Sequence, residues 1–302
     1  MRKTFALVGA RFHSFCLLAN FYLDCHHPVE SVYSARCVCV NEKQETRSTE
    51  EEIMGFIAIL YGVVCYALFF VAFLYIVPFV GGDMVPFYEA PKTLDSGVMG
   101  MTALPAALVN IALLLVFAVH HSIFARPGFK KVLTKILPTS IERSTYVLVS
   151  TLLLIALYYY WVPMTDVVWS VQAPIWSMIL TVLFFVGIGL VLAATFMLNH
   201  FELFGLMQVW HKFKGKEMPE ATFREPFMYK SVRHPIYLGW AIFFWATPTM
   251  TTGHLLFASI WTIYMFVAIG YEERDLVQFF GDKYRSYQAR VPMLLPIGRR
   301  KD

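Results

Sequence analysis

Residues 231–276 read "SVRHPIYLGWAIFFWATPTMTTGHLLFASIWTIYMFVAIGYEERDL". The stretch holds two apolar runs, 235–250 and 254–271, separated only by Thr251, Thr252 and Gly253. A three-residue link joins two helices only if the chain turns straight back on itself, so the stretch predicts a helical hairpin. Pro235 suits the first turn of its helix, where a missing N–H costs nothing. Arg233 and His234 stand before the first run, and Glu272 and Glu273 end the second. The hairpin therefore returns two acids to the level of a cation and an imidazole.

The rest of the chain has the same character. Of 302 residues, 58% are hydrophobic and 15% are charged, against about 45–50% and about 25% in an ordinary soluble domain. A membrane span needs about 20 mostly apolar residues. Further candidates lie at 55–80, 103–122, 145–163 and 174–198, giving six spans with the hairpin and an all-α integral membrane protein. The fifth run, 235–250, is short for a full crossing. Lysine and arginine concentrate in 123–144, in 199–233 and after 273, whereas 81–102 holds only Lys92 and 164–173 holds none. By the positive-inside rule both termini and the two long loops face the cytoplasm. The net charge of +4 suits such a face, and no nucleic-acid motif is present.

Residues 1–53 read as a poorly structured extension ahead of the strong apolar segment opened by Met54, without a cleavage site of the signal-peptide kind. Cys25, His26, His27, Cys37 and Cys39 fall within it, but their spacing fits no common zinc template, so no metal is expected. Residues 54–200 form the first four spans. Residues 201–302 hold the polar loop, the hairpin and the tail, and there the chemistry gathers.

Arg233, the free amides of the first turn after Pro235, and the helix dipole suit an anion. Glu272 and Glu273 lie close to membrane depth, where a carboxylate is costly unless it meets a cation or a wet cavity. Tyr284 and Tyr287, three apart between Gly281 and Pro292, share a helical face if that segment is helical. His200 and Gln208 mark where apolar sequence gives way to basic, and His120 and His121 end the second span. Each group taken alone also fits a plain interfacial role: snorkelling side chains, a structural ion pair, an aromatic girdle.

Taken together, "YKSVRHPIYLGW", "EERDL", "FFGDKYRSY" and "VPMLLP" resemble the cofactor half of the isoprenylcysteine carboxyl methyltransferase superfamily, over about 205–296. "HHSIFARPGFK", "ERSTYVL", "NHFELFGLMQVW" and "FFWATPTMTTGHLLFA" are similar to its NnrU-like branch, which includes bacterial methanethiol S-methyltransferases, over about 54–296. The resemblance implies a bacterial inner-membrane enzyme that uses S-adenosylmethionine to methylate the sulfur of methanethiol, giving dimethyl sulfide. It implies cofactor contacts from Gln208, Tyr229, Arg233, His234, Pro235 and Ile236, with Tyr237 and Tyr284 close by. Glu272, with Glu273 beside it, would take the cofactor's ammonium. His200 and His121 are the candidates for a general base.

Two departures from the carboxyl methyltransferase pattern stand out. Ala221-Thr222-Phe223-Arg224 replaces a His-Thr-Leu-Val-like stretch, and Ala268 stands where an arginine would hold a substrate carboxylate. The second argues for a small neutral or thiol acceptor. Other acceptors, a non-catalytic NnrU-like role and an NADPH-dependent membrane reductase remain open on sequence alone.

Overall fold

The structure is a computed structural model that describes residues 30–220 and 222–296, with side chains from 49 onward. The cysteine–histidine stretch of the extension thus lies outside the described side chains. The chain divides into two compact units, Met1–Glu50 and Glu51–Asp302, and the second contains the apolar bundle. Helix α1 (Glu30–Gly81) starts within the stretch expected to be a loose leader.

Among the described residues, five helices are long and apolar enough to cross a membrane. They are the part of α1 beyond Thr49, then α2 (Ala103–Phe124), α4 (Thr139–Tyr160), α5 (Pro174–Leu198) and α9 (Thr252–Phe280). Between them lie the short helices α3 (Pro127–Leu133), α6 (His200–Leu203), α7 (Leu206–Phe213) and α8 (Pro235–Trp245), and α10 (Asp282–Arg290) follows α9. Val71, Leu104, Ile175, Val182 and Ile263 are exposed along the spans, as lipid-facing residues must be. Phe79, Trp161, Phe184, Phe243 and Phe257 are fully buried at the centre. Between helices in lipid the hydrophobic effect is weak, so this aromatic core holds by close packing and hydrogen bonds. Buried Asn110 shows the second device: its amide nitrogen donates to Val162 O at 2.7 Å and its oxygen accepts from Val162 N at 2.9 Å.

The fifth expected span differs from the rest. Helix α8 has 11 residues, a rise of roughly 16 Å and about half a bilayer core. Pro248 stops it, because a proline disfavours helical backbone in the residue before it. The segment Thr249–Thr251 instead forms strand β2, paired antiparallel with β1 (Val167–Ser170). The turn of the hairpin is thus longer than its sequence suggests, and it is tied down. The Thr251 hydroxyl accepts from His254 N at 3.1 Å, capping α9, and donates to Asp95 at 2.6 Å. His254 Nε2 sits 2.8 Å from Phe244 O, satisfying a carbonyl at the end of α8.

A half-length helix needs shielding, and α5 supplies it. A Cβ built on Gly187 would lie 2.5 Å from Phe243 N, and one on Gly239 would lie 2.8 Å from Gly187 O. The two backbones therefore touch through paired glycines, a close approach that small residues allow in membranes. Gly189, on the same helix, has nothing within 4 Å of its Cβ position. Gly187→Leu should lower the melting temperature of the detergent-solubilised protein by several degrees, since overpacking costs about 1–3 kcal/mol or more. Gly189→Leu should leave it unchanged. Equal effects in a thermal scan would overturn the glycine contact.

Candidate functional site

At the end of the bundle where α8 starts and α9 finishes, three segments meet on Glu273. One carboxylate oxygen accepts from Arg233 Nε at 2.7 Å and from His234 Nε2 at 2.9 Å. The other accepts from Gln288 Nε2 at 2.8 Å. Arg233 also donates through Nη1 to the carbonyls of Gln288 (3.1 Å) and Val291 (2.7 Å). The backbone amides of Arg233 and His234 donate to Pro292 O and Met293 O. The tail is thereby fixed against the start of α8. Tyr284 and Tyr287, on one face of α10, are buried against Phe223, Leu276, Val277 and Phe280. The Tyr287 hydroxyl donates to Tyr229 O at 2.6 Å.

Beside this knot opens a cavity of about 510 Å³. Its polar lining includes Arg224, Tyr229, Arg233, His234 and Glu272, and its apolar walls include Phe196, Phe223 and Leu276. The adjacent acids therefore have different positions. Glu273 is saturated with donors, whereas the Glu272 side chain is 45% exposed, accepts from the Tyr237 hydroxyl at 3.0 Å and faces the cavity. The Tyr229 hydroxyl is sealed from solvent with no partner among the described residues. Burial pushes the Tyr229, Tyr284 and Tyr287 hydroxyls above the usual phenol range, which keeps them protonated donors at neutral pH. Pro235 opens α8, and the amides of Ile236 and Tyr237 have no partner among the described residues. Those two amides leave the first turn with free donors.

Tyr229, Arg233, His234, Glu272 and Tyr284 line the cavity, and Pro235, Ile236, Tyr237 and Glu273 stand next to them in the chain or by hydrogen bond without lining it. Gln208 sits on α7, its amide donates to Glu202 O at 3.1 Å, and it does not line the cavity. His200 is 2% exposed, 2.9 Å from Thr195 Oγ1 through Nδ1 and 2.8 Å from the Tyr66 hydroxyl through Nε2. It also stacks on Phe196 at 4.2 Å. With both nitrogens engaged and burial holding the ring neutral, its geometry is that of a brace for the cavity wall. His121 lies away from the lining on α2, with Nδ1 at 2.9 Å from the Tyr146 hydroxyl.

The wall also holds residues that sequence reading did not single out as contacts. Asn199 is the one described non-glycine residue at positive φ (110°). It breaks α5 from α6, caps α6 through Glu202 N, and lies in the cavity lining with Phe196, Met197 and Leu198. An asparagine just past an apolar helix is a stop signal that could have marked it. Thr222, Phe223 and Arg224 belong to the stretch that departs from the carboxyl methyltransferase pattern, and they form one side of the cavity. Among the described residues no cluster of three metal-ligating side chains occurs.

The sequence profile of the NnrU protein family matches residues 109–288, a span that contains every residue lining the cavity. This chain belongs to the NnrU family. Among its relatives, methanethiol S-methyltransferase 1 of Bradyrhizobium diazoefficiens is 49% identical over 251 residues, covering 83% of this chain and 86% of that protein. The methanethiol S-methyltransferase of Mycobacterium tuberculosis is 48% identical over 241 residues, 80% of this chain and 96% of the relative. That of Crocosphaera subtropica is 42% identical over 260 residues, covering 86% and 99%. No solved structure matches the chain. For this NnrU-family chain the unequal carboxylates make a stability prediction. Glu273→Gln should cost about 3 kcal/mol, because it leaves Arg233 poorly paired where little water reaches. Glu272→Gln, half exposed, should stay within about 0.5 kcal/mol. Melting temperatures in detergent read the difference, and equal losses would refute the ranking.

Proposed function

We propose that this protein transfers a methyl group from S-adenosylmethionine to the sulfur of methanethiol, giving dimethyl sulfide. We place it in a bacterial inner membrane, with the cavity end and both termini towards the cytoplasm, as the charge of the loops requires. The observation that carries the reading is the cavity's chemistry: an open carboxylate, a cation and a buried unpaired hydroxyl in one apolar-walled space. The chain that builds it is 48–49% identical, over 80–83% of its length, to relatives named methanethiol S-methyltransferase.

The residues present fit the methyl donor. Its ammonium needs a carboxylate, and Glu272 is the one not already saturated. Its carboxylate needs positive charge. Arg233 has Nε and Nη1 committed to the tail and Glu273, so it offers only the remaining edge of its guanidinium. Arg224, whose Nε meets Thr222 at 3.2 Å, and the free amides of Ile236 and Tyr237 complete the anionic subsite. Phe196 and Phe223 supply walls for a purine, and Tyr229 supplies a donor. When bound, S-adenosylmethionine contributes an electrophilic methyl on a cationic sulfur. The protein's part is to position that carbon in line with the acceptor and keep water away. No residue is required to form a covalent bond.

Purified protein in detergent, given S-adenosylmethionine and methanethiol, should release dimethyl sulfide into the headspace, and calorimetry should detect S-adenosylmethionine binding. Glu272→Gln should weaken that binding on the order of tenfold, the loss of one charge-assisted contact of about 1.4 kcal/mol, with melting temperature preserved. Unchanged binding would remove Glu272 from the site. Failure of the folded wild type to bind the donor would overturn the methyltransferase reading.

A further inference from the structure

Two to three turns of α9 before Glu272, the bundle holds hydrogen-bond donors that the proposed donor site does not use. Trp261 lies on α9 with its Nε1 sealed from solvent and without a partner among the described residues. An indole N–H can only donate, and buried donors are almost always paired in native structures, so an orphan in an apolar core points to a missing acceptor. One turn along, the Tyr264 hydroxyl accepts from Ser122 Oγ at 3.2 Å, and its own proton meets no acceptor among the described residues. The two rings stand 5.5 Å apart. Phe117 and Phe244 flank the half-buried indole, at 5.2 Å and 6.0 Å.

This place is linked to the cavity. Tyr264, Ala268 and Glu272 recur at intervals of four, on one face of α9. Between the tyrosine and the acid this face carries only the methyl group of Ala268. Tyr237, on α8, bonds Glu272 at 3.0 Å at the cavity end of this face. A small molecule here would be close to the membrane interior on one side and the methyl donor's cavity on the other.

We propose that Trp261 and Tyr264 form the acceptor site, where a small alkyl thiolate accepts hydrogen bonds from the indole N–H and the phenol O–H and rests its carbon end on Phe117 and Phe244. This rests on the methyltransferase reading above. The acceptor's S–H proton goes to bulk water. A sulfur lone pair of the thiolate then forms the new carbon–sulfur bond while the sulfonium's carbon–sulfur bond breaks, its electron pair staying on the departing sulfur. Negative thiolate and positive sulfonium cancel, leaving two neutral thioethers. The two donors grip sulfur most strongly before the transfer, so the neutral product is held less tightly and leaves.

Tyr264→Phe removes one oxygen and keeps the ring. It should raise KM for methanethiol about tenfold and leave KM and calorimetric binding of S-adenosylmethionine unchanged. Phe117→Ala, which widens the wall, should raise the propanethiol to methanethiol ratio of kcat/KM at least fivefold. A readout without turnover uses the indole itself: methanethiol alone should quench part of the tryptophan fluorescence in wild type and not in Trp261→Phe. Acceptor KM within twofold of wild type in Tyr264→Phe, or both KM values rising together, would overturn the assignment. So would equal quenching in Trp261→Phe. If the folded wild type binds S-adenosylmethionine yet makes no dimethyl sulfide, the choice of methanethiol fails, and the quenching experiment still decides the thiol site by itself.

Discussion

The carboxylate of Glu273 joins parts of the chain that have no other reason to meet. It sits at the end of a membrane helix and collects Arg233, His234 and Gln288. Losing water at that depth costs several kcal/mol per ion, and only near-complete pairing returns it. The pairing is near complete here, with both oxygens occupied and Arg233 also donating to two tail carbonyls. The start of α8, the end of α9 and helix α10 then become one rigid unit. The cavity and its open acid exist because that unit is fixed.

A second constraint works from the opposite wall. Asn199 in a left-handed conformation ends α5, and the next residue, His200, is locked between Thr195 and Tyr66. Strain of about 1–3 kcal/mol at such a residue persists only where its surroundings hold it, and the brace around His200 does so. Phe196 is thereby held on the cavity while it stacks on the same imidazole. His200, which sequence alone offers as a base, has in this fold the geometry of a brace that holds that wall in place.

The glycine contact between α5 and α8 ties these two regions together. Backbone touching backbone at Gly187 and Gly239 leaves little freedom for α8 to slide or tilt. Its start, with Arg233 and His234, is placed across the cavity from α5's own end at Asn199. A short apolar helix, costly if it faced lipid alone, becomes the inner element that carries the polar threshold.

Sequence by itself determined the long apolar helices, the hairpin, and the gathering of Arg233, His234, Glu272, Glu273 and Tyr284 at one end. Those features depend on local composition, on spacing, and on the high cost of charge in lipid, all of which act over a few consecutive residues. Only the tertiary structure decided that Glu273 is spent on architecture while Glu272 stays open, and that Arg233 is mostly bound to the tail. It also set Gln208 outside the cavity lining and Phe223 within it. Each of these outcomes depends on which distant carbonyl or carboxylate reaches a given donor first. Two neighbouring glutamates are the same letter in a sequence, and differ only in what the folded chain places beside them.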